Sequence, residues 1–195
     1  MPSRSRADGA RSTAATRLWR VCVTGPESTG KTMLAARLAA RFGTLATVEA
    51  SRPYAEAKGA PLDVTDVAPI ARAQCAEQEA AERAVRARGG SLVVLDTDLV
   101  STVIYGRDYY HAVPPWVLRA ERAHRADLYL LCAVDVPWIA DGVRDRPGDR
   151  DTLWRLFDAA LRRRRARVVQ VAGDWDARWR VAESAVLALP RRAGE

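Results

Sequence analysis

Short apolar runs alternate with amphipathic stretches along most of this chain. The apolar runs predict five strands, at residues 18–24, 44–48, 91–95, 127–132 and 167–171. A short continuous apolar run such as 91–95 is typical of a strand that is buried on both faces. A β-α unit repeated five times predicts a parallel sheet with helices on both faces. The expected fold is therefore a three-layer α/β fold around a five-stranded parallel sheet.

Apolar residues at helical spacing predict the helices between these strands. They cover residues 33–41, 65–88, 99–105, 116–125, 151–165 and 175–189, with a short helix at 137–143. Loops are expected directly after Glu49 and at residues 106–115. Residues 144–150 alternate in charge around Pro147 and Gly148, which predicts a mobile loop that could act as a lid over the site.

The length of 195 residues and a hydrophobic content of 48% suit one domain with a single core. We expect this domain at 18–190, after a disordered basic arm at 1–17 and before a short tail at 191–195. No apolar run reaches the ~18 residues that a membrane-spanning helix needs. The start of the chain lacks the apolar segment of a secretory signal. These features predict a cytoplasmic protein without a membrane partner.

The formal charge of +7 is spread along the chain rather than concentrated in one motif. Part of it lies in the arm at 1–17, and part in the run 162–165, where cations favour the C-terminal end of a helix dipole. Polyphosphate substrates are acidic, so a basic surface needs no nucleic acid to explain it. We therefore expect no nucleic-acid partner, while the oligomeric state is not encoded in these patterns.

One eight-residue segment between the first strand and the first helix carries the clearest chemistry. It reads Gly25, Pro26, Glu27, Ser28, Thr29, Gly30, Lys31 and Thr32. This G-x-x-x-x-G-K-[ST] pattern, between a strand and a helix, predicts a loop whose backbone N–H groups surround the phosphates of ATP. We call residues 25–32 the P-loop. Lys31, one of only two lysines in the chain, would reach the β- and γ-phosphates.

Carboxylates after the predicted strands are candidates for metal binding and proton transfer. Asp96 ends a buried apolar strand, and with the hydroxyl of Thr32 it is predicted to hold Mg²⁺. An acceptor hydroxyl must lose a proton as it attacks, so a nearby carboxylate is useful as a general base. Glu49, which follows the strand expected beside the P-loop strand, and Asp98 are the candidates. Asp98 could instead bind sugar hydroxyls or cap a helix.

Arginines and one acidic turn complete the expected nucleotide site. Arg52 could orient a carboxylate or the transferring phosphate. Arg144 and Arg146 lie in the charged loop, where they could neutralise charge on the transferred phosphoryl group. Asp174 follows the last strand, and the turn around it is positioned to contact an adenine ring, although Trp175 could equally be core packing.

With these motifs, the chain resembles the ribosylnicotinamide kinase domains of the NadR type over about residues 19–189. The matching features are the P-loop, Glu49 with Arg52, Gln74, the segment 95–99 and the segment 138–144. The resemblance implies ATP-dependent phosphorylation of the 5′-hydroxyl of nicotinamide riboside, which gives nicotinamide mononucleotide for NAD synthesis. It also implies a role for Gln74 in the acceptor site.

Members of that family that bind nicotinamide riboside hold its pyridine ring between aromatic side chains, one just before the acid that matches Glu49. Here that position is Val48, and residues 65–88 contain no aromatic side chain. Aromatic residues elsewhere could stack on a base instead, and these are Tyr54, Tyr105, Tyr109, Tyr110 and Trp138. The expected acceptor-binding set is Arg52, Tyr54, Gln74, Asp98, Tyr109 and Trp138.

Two alternatives to a nicotinamide riboside kinase stay open on the sequence. The acceptor could be another nucleoside or a nucleotide. The chain could also be a regulatory P-loop ATPase or nucleotide switch that acts on a partner or nucleic acid. A concave, aromatic-lined cavity beside the nucleotide site would favour a kinase, and a flat or partner-shaped surface would favour a switch.

Overall fold

The computed structural model describes residues 17–138 and 149–190. Its elements in chain order are β1 Trp19–Thr24, α1 Lys31–Arg41, α2 Ser51–Lys58, a 3-10 helix Val64–Asp66, α3 Val67–Ala87, β2 Leu92–Asp96, α4 Leu99–Tyr110, α5 Pro115–Ala123, β3 Leu128–Cys132, α6 Arg150–Arg163, β4 Val168–Val171 and α7 Trp175–Leu187. None of the helices in these ranges is both long and apolar enough to span a membrane.

The strands form one parallel sheet in the order β2-β1-β3-β4. Val21 of β1 pairs with Val94 on one side and with Leu128 on the other, so β1 lies inside the sheet. The chain passes from β1 to β2 on one side and then crosses to β3 on the other. Ligands of open α/β sheets bind at the carboxyl ends of the strands where the order reverses in this way. The P-loop follows β1 at that point.

Alternation along the strands divides the core into two layers. Val21 and Val23 face α1 and α7, while Cys22 faces α3, α4 and α6. The helices that pack on the sheet cover it with stripes of buried residues, as Leu34 and Leu38 do on α1. The predicted three-layer arrangement with helices on both faces is confirmed.

The prediction of five strands is wrong, because the described residues contain four. The segment 44–48 makes a single parallel bridge, between Ala46 and Val94. Side chains replace part of the backbone ladder: the Thr44 hydroxyl donates to the Leu92 carbonyl, and the Thr47 hydroxyl accepts from the Asp96 N–H at 3.0 Å. The segment therefore runs beside β2, and β2 separates it from the P-loop strand that was expected as its neighbour.

Two helical regions also differ from the prediction. Residues 51–58 form α2, where a loop was expected, and α4 continues to Tyr110 through the first half of the expected loop at 106–115. Pro53 stands in the first turn of α2, where a missing N–H costs no hydrogen bond. The two residues of the expected helix at 137–143 that the structure describes are not helical, and the other five lie outside the described residues.

Candidate active site

The P-loop wraps around the carboxyl end of β1 and needs its two glycines. Gly25 has φ +132°, and a Cβ there would lie 2.9 Å from the Cys132 carbonyl oxygen. Gly30, at φ +77°, is the N-cap of α1 and supplies no side-chain cap. The first N–H groups of α1 thus have no side-chain cap to compete with an anion.

Two P-loop side chains donate to the same carbonyl oxygen. The Lys31 ammonium lies 2.7 Å from the Pro26 oxygen, and the Thr29 hydroxyl lies 2.8 Å from it. Lys31 is buried although it carries a charge. These bonds keep the ammonium group at the loop that precedes it, which is where a β- or γ-phosphate would meet it.

Two arginines that the sequence did not single out support the loop from outside. Arg178 of α7 is buried and donates to the carbonyl oxygens of Thr29 at 3.1 Å, Ala133 at 2.9 Å and Gly173 at 2.9 Å. It also pairs with the Asp135 carboxylate. Because its partners come from the P-loop and from the segments after β3 and β4, Arg178 joins three strand ends.

Arg150, at the start of α6, makes the second set of contacts. It donates to the Ser28 carbonyl at 3.2 Å and to the Val136 carbonyl at 3.1 and 3.2 Å. The segment after β3 is thus tied to both α6 and the P-loop. Arg144 and Arg146, the predicted lid arginines, lie outside the described residues.

Asp96 has the properties expected of a magnesium ligand beside the P-loop. Burial raises the pKa of Asp96, against a hydrogen bond from the Thr32 side chain and the positive charges of Lys31 and Arg52, which lower it. One of its carboxylate oxygens is buried without a hydrogen-bond partner among the described residues. A hard oxygen donor next to a hydroxyl suits Mg²⁺, which binds proteins through one or two carboxylates and substrate phosphates.

Glu49 lies at the edge of a cavity and close enough to Asp96 for its negative charge to raise the pKa of that carboxyl. Its carboxylate accepts a hydrogen bond from Ser51 at 2.7 Å. Gln74 of α3 holds the backbone that follows, because its side chain accepts from the Ala50 N–H at 3.1 Å and donates to the Thr97 carbonyl at 3.4 Å. The predicted general base and Gln74 are therefore brought together.

Thr97 separates Asp96 from Asp98 and adopts φ +64°. A β-branched residue is a clear outlier in this left-handed region. The Thr97 N–H donates to the Val23 carbonyl at 3.0 Å, and the bond from Gln74 holds its own carbonyl. Strain of this kind is common where a turn fixes functional side chains.

The cavity beside Glu49 has a volume of about 350 Å³. It lies between α3, α4 and the start of α2. Its described lining combines one carboxylate, one amide, hydroxyl groups, tyrosine rings and an apolar part: Glu49, Gln74, Ser51, Thr97, Ser101, Thr102, Tyr105, Tyr109, Tyr110, Gly106, Pro61, Leu62, Val67 and Ile70. A concave site with an apolar surface and a few polar groups is typical of small-molecule binding.

Asp98 has a structural role rather than a place on the cavity wall. One carboxylate oxygen caps α4 by accepting from the Val100 N–H at 2.9 Å, and the other accepts from the Tyr129 hydroxyl at 2.7 Å. Burial raises the pKa of Asp98 to about 6, although both hydrogen bonds lower it. Of the alternatives open in the sequence, the helix cap is the one that these contacts match.

Three further predicted acceptor residues do not line the cavity. The Tyr54 hydroxyl donates to Asp66 at 3.0 Å. Arg52 is exposed in the first turn of α2, near enough to Asp96 to lower the pKa of that carboxyl. Trp138 is half-buried and is not among the described lining residues. Of the predicted acceptor set, Gln74 and Tyr109 line the cavity.

The turn after β4 lies against the P-loop, as its predicted role in nucleotide binding requires. Asp174 caps α7 by accepting from the Ala177 N–H at 2.7 Å. The Trp175 ring passes so close to Gly30 that a Cβ there would lie 2.6 Å from it. About half of the Trp175 surface is exposed, at 51%. The Trp175 indole is thus partly exposed and lies beside the P-loop.

Comparison with known proteins places this chain among P-loop nucleotide-binding proteins. The family described as "AAA domain" matches residues 20–178. The trifunctional NAD biosynthesis/regulator protein NadR of Salmonella typhimurium (strain LT2) is 28% identical over 166 residues, which are 82% of this chain and 40% of that protein. The chain therefore spans about two fifths of the length of this curated relative.

Solved structures of NadR resemble the fold of this chain. The structure of a NadR protein in complex with NR has a TM-score of 0.70 and 26% identity, and the alignment covers 87% of this chain and 50% of that one. A NadR protein in complex with NAD and AMP-PNP has a TM-score of 0.68 and 25% identity, over 87% of this chain and 48% of that one. The predicted resemblance to NadR-type kinase domains is confirmed.

Proposed function

Since this chain belongs to the AAA domain family, whose model matches residues 20–178, we propose that it is a kinase that transfers the terminal phosphoryl group of ATP to a hydroxyl group of a nucleoside. The observation that carries the proposal is the position of the cavity. Glu49 lines it and interacts electrostatically with Asp96, and Tyr105 lines it and bonds to Glu27 of the P-loop at 2.5 Å. A molecule in the cavity would lie next to a nucleotide on the P-loop.

On the nucleotide side, the chain supplies charge and orientation. The backbone N–H groups of residues 27–31 and the start of α1 bind the phosphates, and Lys31 neutralises the β- and γ-oxygens. Thr32 and Asp96 would hold Mg²⁺, which when bound offsets the negative charge of the phosphates. The exposed face of Trp175 provides a surface for the adenine ring beside Gly30.

On the acceptor side, Glu49 takes the proton of the attacking hydroxyl group. It is better placed than Asp98, whose carboxylate oxygens are occupied by Val100 and Tyr129. Ser51 donates to Glu49 and so fixes the orientation of its carboxylate. A general base held within hydrogen-bond reach of the reacting hydroxyl is worth about 10²–10⁴-fold in rate.

Nicotinamide riboside is the first acceptor that we propose, with the 5′-hydroxyl as the reacting group and nicotinamide mononucleotide as the product. Support comes from the similarity to NadR proteins, one of which was solved in complex with NR. The reaction would take place in the cytoplasm, as the sequence predicts. Other nucleosides are the second acceptor class, and the cavity favours both over a regulatory switch without an acceptor.

The test is ADP release by the full chain with Mg-ATP and a panel of acceptors, with mass spectrometry of the products. The panel contains nicotinamide riboside, the common nucleosides and their monophosphates. The expected result is turnover of nicotinamide riboside well above the rate of ATP hydrolysis alone. If no acceptor raises ADP release while ATP still binds, the kinase proposal is wrong and a switch is favoured. A Lys31→Ala variant shows whether a contaminating enzyme produces the signal.

A further inference from the structure

Three tyrosines of α4 lie together on one side of the cavity. Tyr105, Tyr109 and Tyr110 all line it. The ring centroids of Tyr105 and Tyr109 are 5.4 Å apart, and those of Tyr109 and Tyr110 are 6.3 Å apart. The planes are inclined by 44° and 76°, which are favourable arrangements for aromatic pairs. We call these three residues the α4 tyrosine wall.

A buried hydrogen bond attaches the wall to the P-loop. The Tyr105 hydroxyl donates to a carboxylate oxygen of Glu27 at 2.5 Å, and both residues are buried. The second carboxylate oxygen of Glu27 is buried without a hydrogen-bond partner among the described residues. Loss of the Tyr105 bond would leave a second buried oxygen of Glu27 unsatisfied, so this contact restricts where α4 can lie relative to the P-loop.

The rest of the cavity suits a flat ring that is neutral or positively charged. Val67 and Ile70 give it an apolar surface, and Glu49 supplies negative charge at its edge. No lysine or arginine is among the described lining residues. Tyrosine faces are electron-rich and attract planar rings and cations.

We propose that the heteroaromatic ring of the acceptor lies against Tyr109, and that Glu27, acting through Tyr105, positions this ring-binding surface. The inference rests on the proposed kinase function and adds a specificity-determining residue, Tyr109, and two positioning residues to it. The expected ligand class is nucleosides whose planar base is neutral or cationic. The tyrosine wall then aligns the acceptor with the same loop that holds the phosphates of the donor.

The first test compares Tyr109→Leu with Tyr109→Phe in steady-state kinetics with the acceptor that the wild type phosphorylates best. Leucine keeps apolar volume but removes the ring, so KM for the acceptor should rise about tenfold, which is the loss of a favourable aromatic contact. Phenylalanine should recover most of this loss, and KM for ATP should stay within about twofold in both variants.

Trp116→Leu provides a matched control, because Trp116 packs against the core beside α4 and does not line the cavity. It removes an aromatic ring and lowers stability in the same region, yet acceptor KM should stay within about twofold. An acceptor KM for Tyr109→Leu that equals the wild-type value, or one that Trp116→Leu reproduces, would overturn the assignment of Tyr109.

The second test addresses the link to the P-loop with Tyr105→Phe alone and combined with Tyr109→Leu. Tyr105→Phe keeps the ring and removes the hydroxyl that bonds to Glu27, so acceptor KM should rise about threefold. If Tyr105 acts through Tyr109, the rise in acceptor KM of the double variant should be smaller than the product of the two single rises. Effects that multiply would show that Glu27 and Tyr105 do not position Tyr109.

The outcomes also separate this inference from the proposed function. Turnover by the wild type with no response to Tyr109→Leu rejects the tyrosine wall and leaves the kinase standing. Absence of acceptor turnover in the wild type, with ATP binding intact, rejects both.

Discussion

The P-loop and the cavity beside Glu49 lie side by side, yet they are built in different ways. The loop consists of eight consecutive residues, 25–32, which we propose bind phosphates through backbone N–H groups and one ammonium. The cavity is lined by side chains from residues 49–110, which lie on several helices and loops. A phosphate site can therefore be encoded by a local turn, whereas a ring-binding site depends on how several elements pack. The variants below separate the two regions.

Removal of the Lys31 ammonium should have the largest effect on activity. It should change the P-loop and leave the cavity as it is. Lys31→Ala should lower kcat/KM about 10³-fold, because a donor aimed at the charge of the transition state is removed. Acceptor affinity, measured by calorimetry, should change by less than about twofold. The matched control is Lys58→Ala, since Lys58, the other lysine of the chain, ends α2 and pairs with Asp63 and Asp66. Wild-type activity of Lys31→Ala would contradict the assignment.

Glu49→Gln breaks the chemistry of the acceptor region and leaves the phosphate loop intact. The expected result is a fall in kcat of about 10²-fold, because the amide cannot take up the proton of the attacking hydroxyl. The dissociation constant for ATP should be unchanged. Glu77→Gln is the control, as Glu77 accepts from the Val48 N–H at 3.3 Å, next to Glu49. Equal kcat values for the two variants would rule out Glu49 as the base.

Arg178→Met tests whether the locally encoded loop depends on distant support. The change removes donors to Thr29, Ala133 and Gly173, so the free energy of unfolding in urea should fall by roughly 2–3 kcal/mol. This is less than for a fully buried ion pair, because its partner Asp135 is partly exposed. The affinity for ATP should weaken as well. Arg180→Met, on the exposed side of the same helix, should change neither quantity.

The smallest effect concerns the first turn of α4, which carries the tyrosine wall. Burial raises the pKa of Asp98 to about 6 in the folded state, so the folded chain binds more protons than the unfolded chain between about pH 4 and 6. Unfolding free energy should therefore fall as pH rises through this window, by about 2 kcal/mol from this residue. Asp98→Asn keeps a helix cap and should lose this pH dependence in urea titrations. A parallel pH profile for the two proteins would contradict the assignment.

Much of the fold could be predicted because its signals are local. Each of the strands β1 to β4 is a short run rich in apolar residues, and the helices that cover them show apolar residues at helical spacing. The segment 44–48 carries the same type of signal but forms a single bridge, since the hydroxyl groups of Thr44 and Thr47 take part of the pairing with β2. The local sequence pattern does not show whether a segment will pair with the adjacent strand through its backbone or through its side chains.

The candidate site also contains residues that local signals mark and residues that only tertiary contacts identify. Sequence reasoning singled out Lys31, Thr32 and Asp96 as candidates, because a motif or a strand end marks each of them. It placed Tyr54 in the acceptor site, but the Tyr54 hydroxyl bonds to Asp66 instead. It did not find Arg150, which it placed in the charged loop 144–150, or Arg178. An arginine in a charged loop or an amphipathic helix looks like any solvated arginine until the fold brings backbone carbonyl groups to it.

By itself the sequence determined a parallel α/β chain with a P-loop, a nearby buried carboxylate and a helix-rich cover. Periodicity, capping and turn chemistry act over a few residues, so they can be read from the printed letters. The tertiary structure decided that Asp98 would be a buried cap, that Arg178 would join three strand ends, and that the rings of α4 would face a cavity next to Glu27. Those roles depend on distances between residues far apart in the chain, which arise only when the helices pack on the sheet.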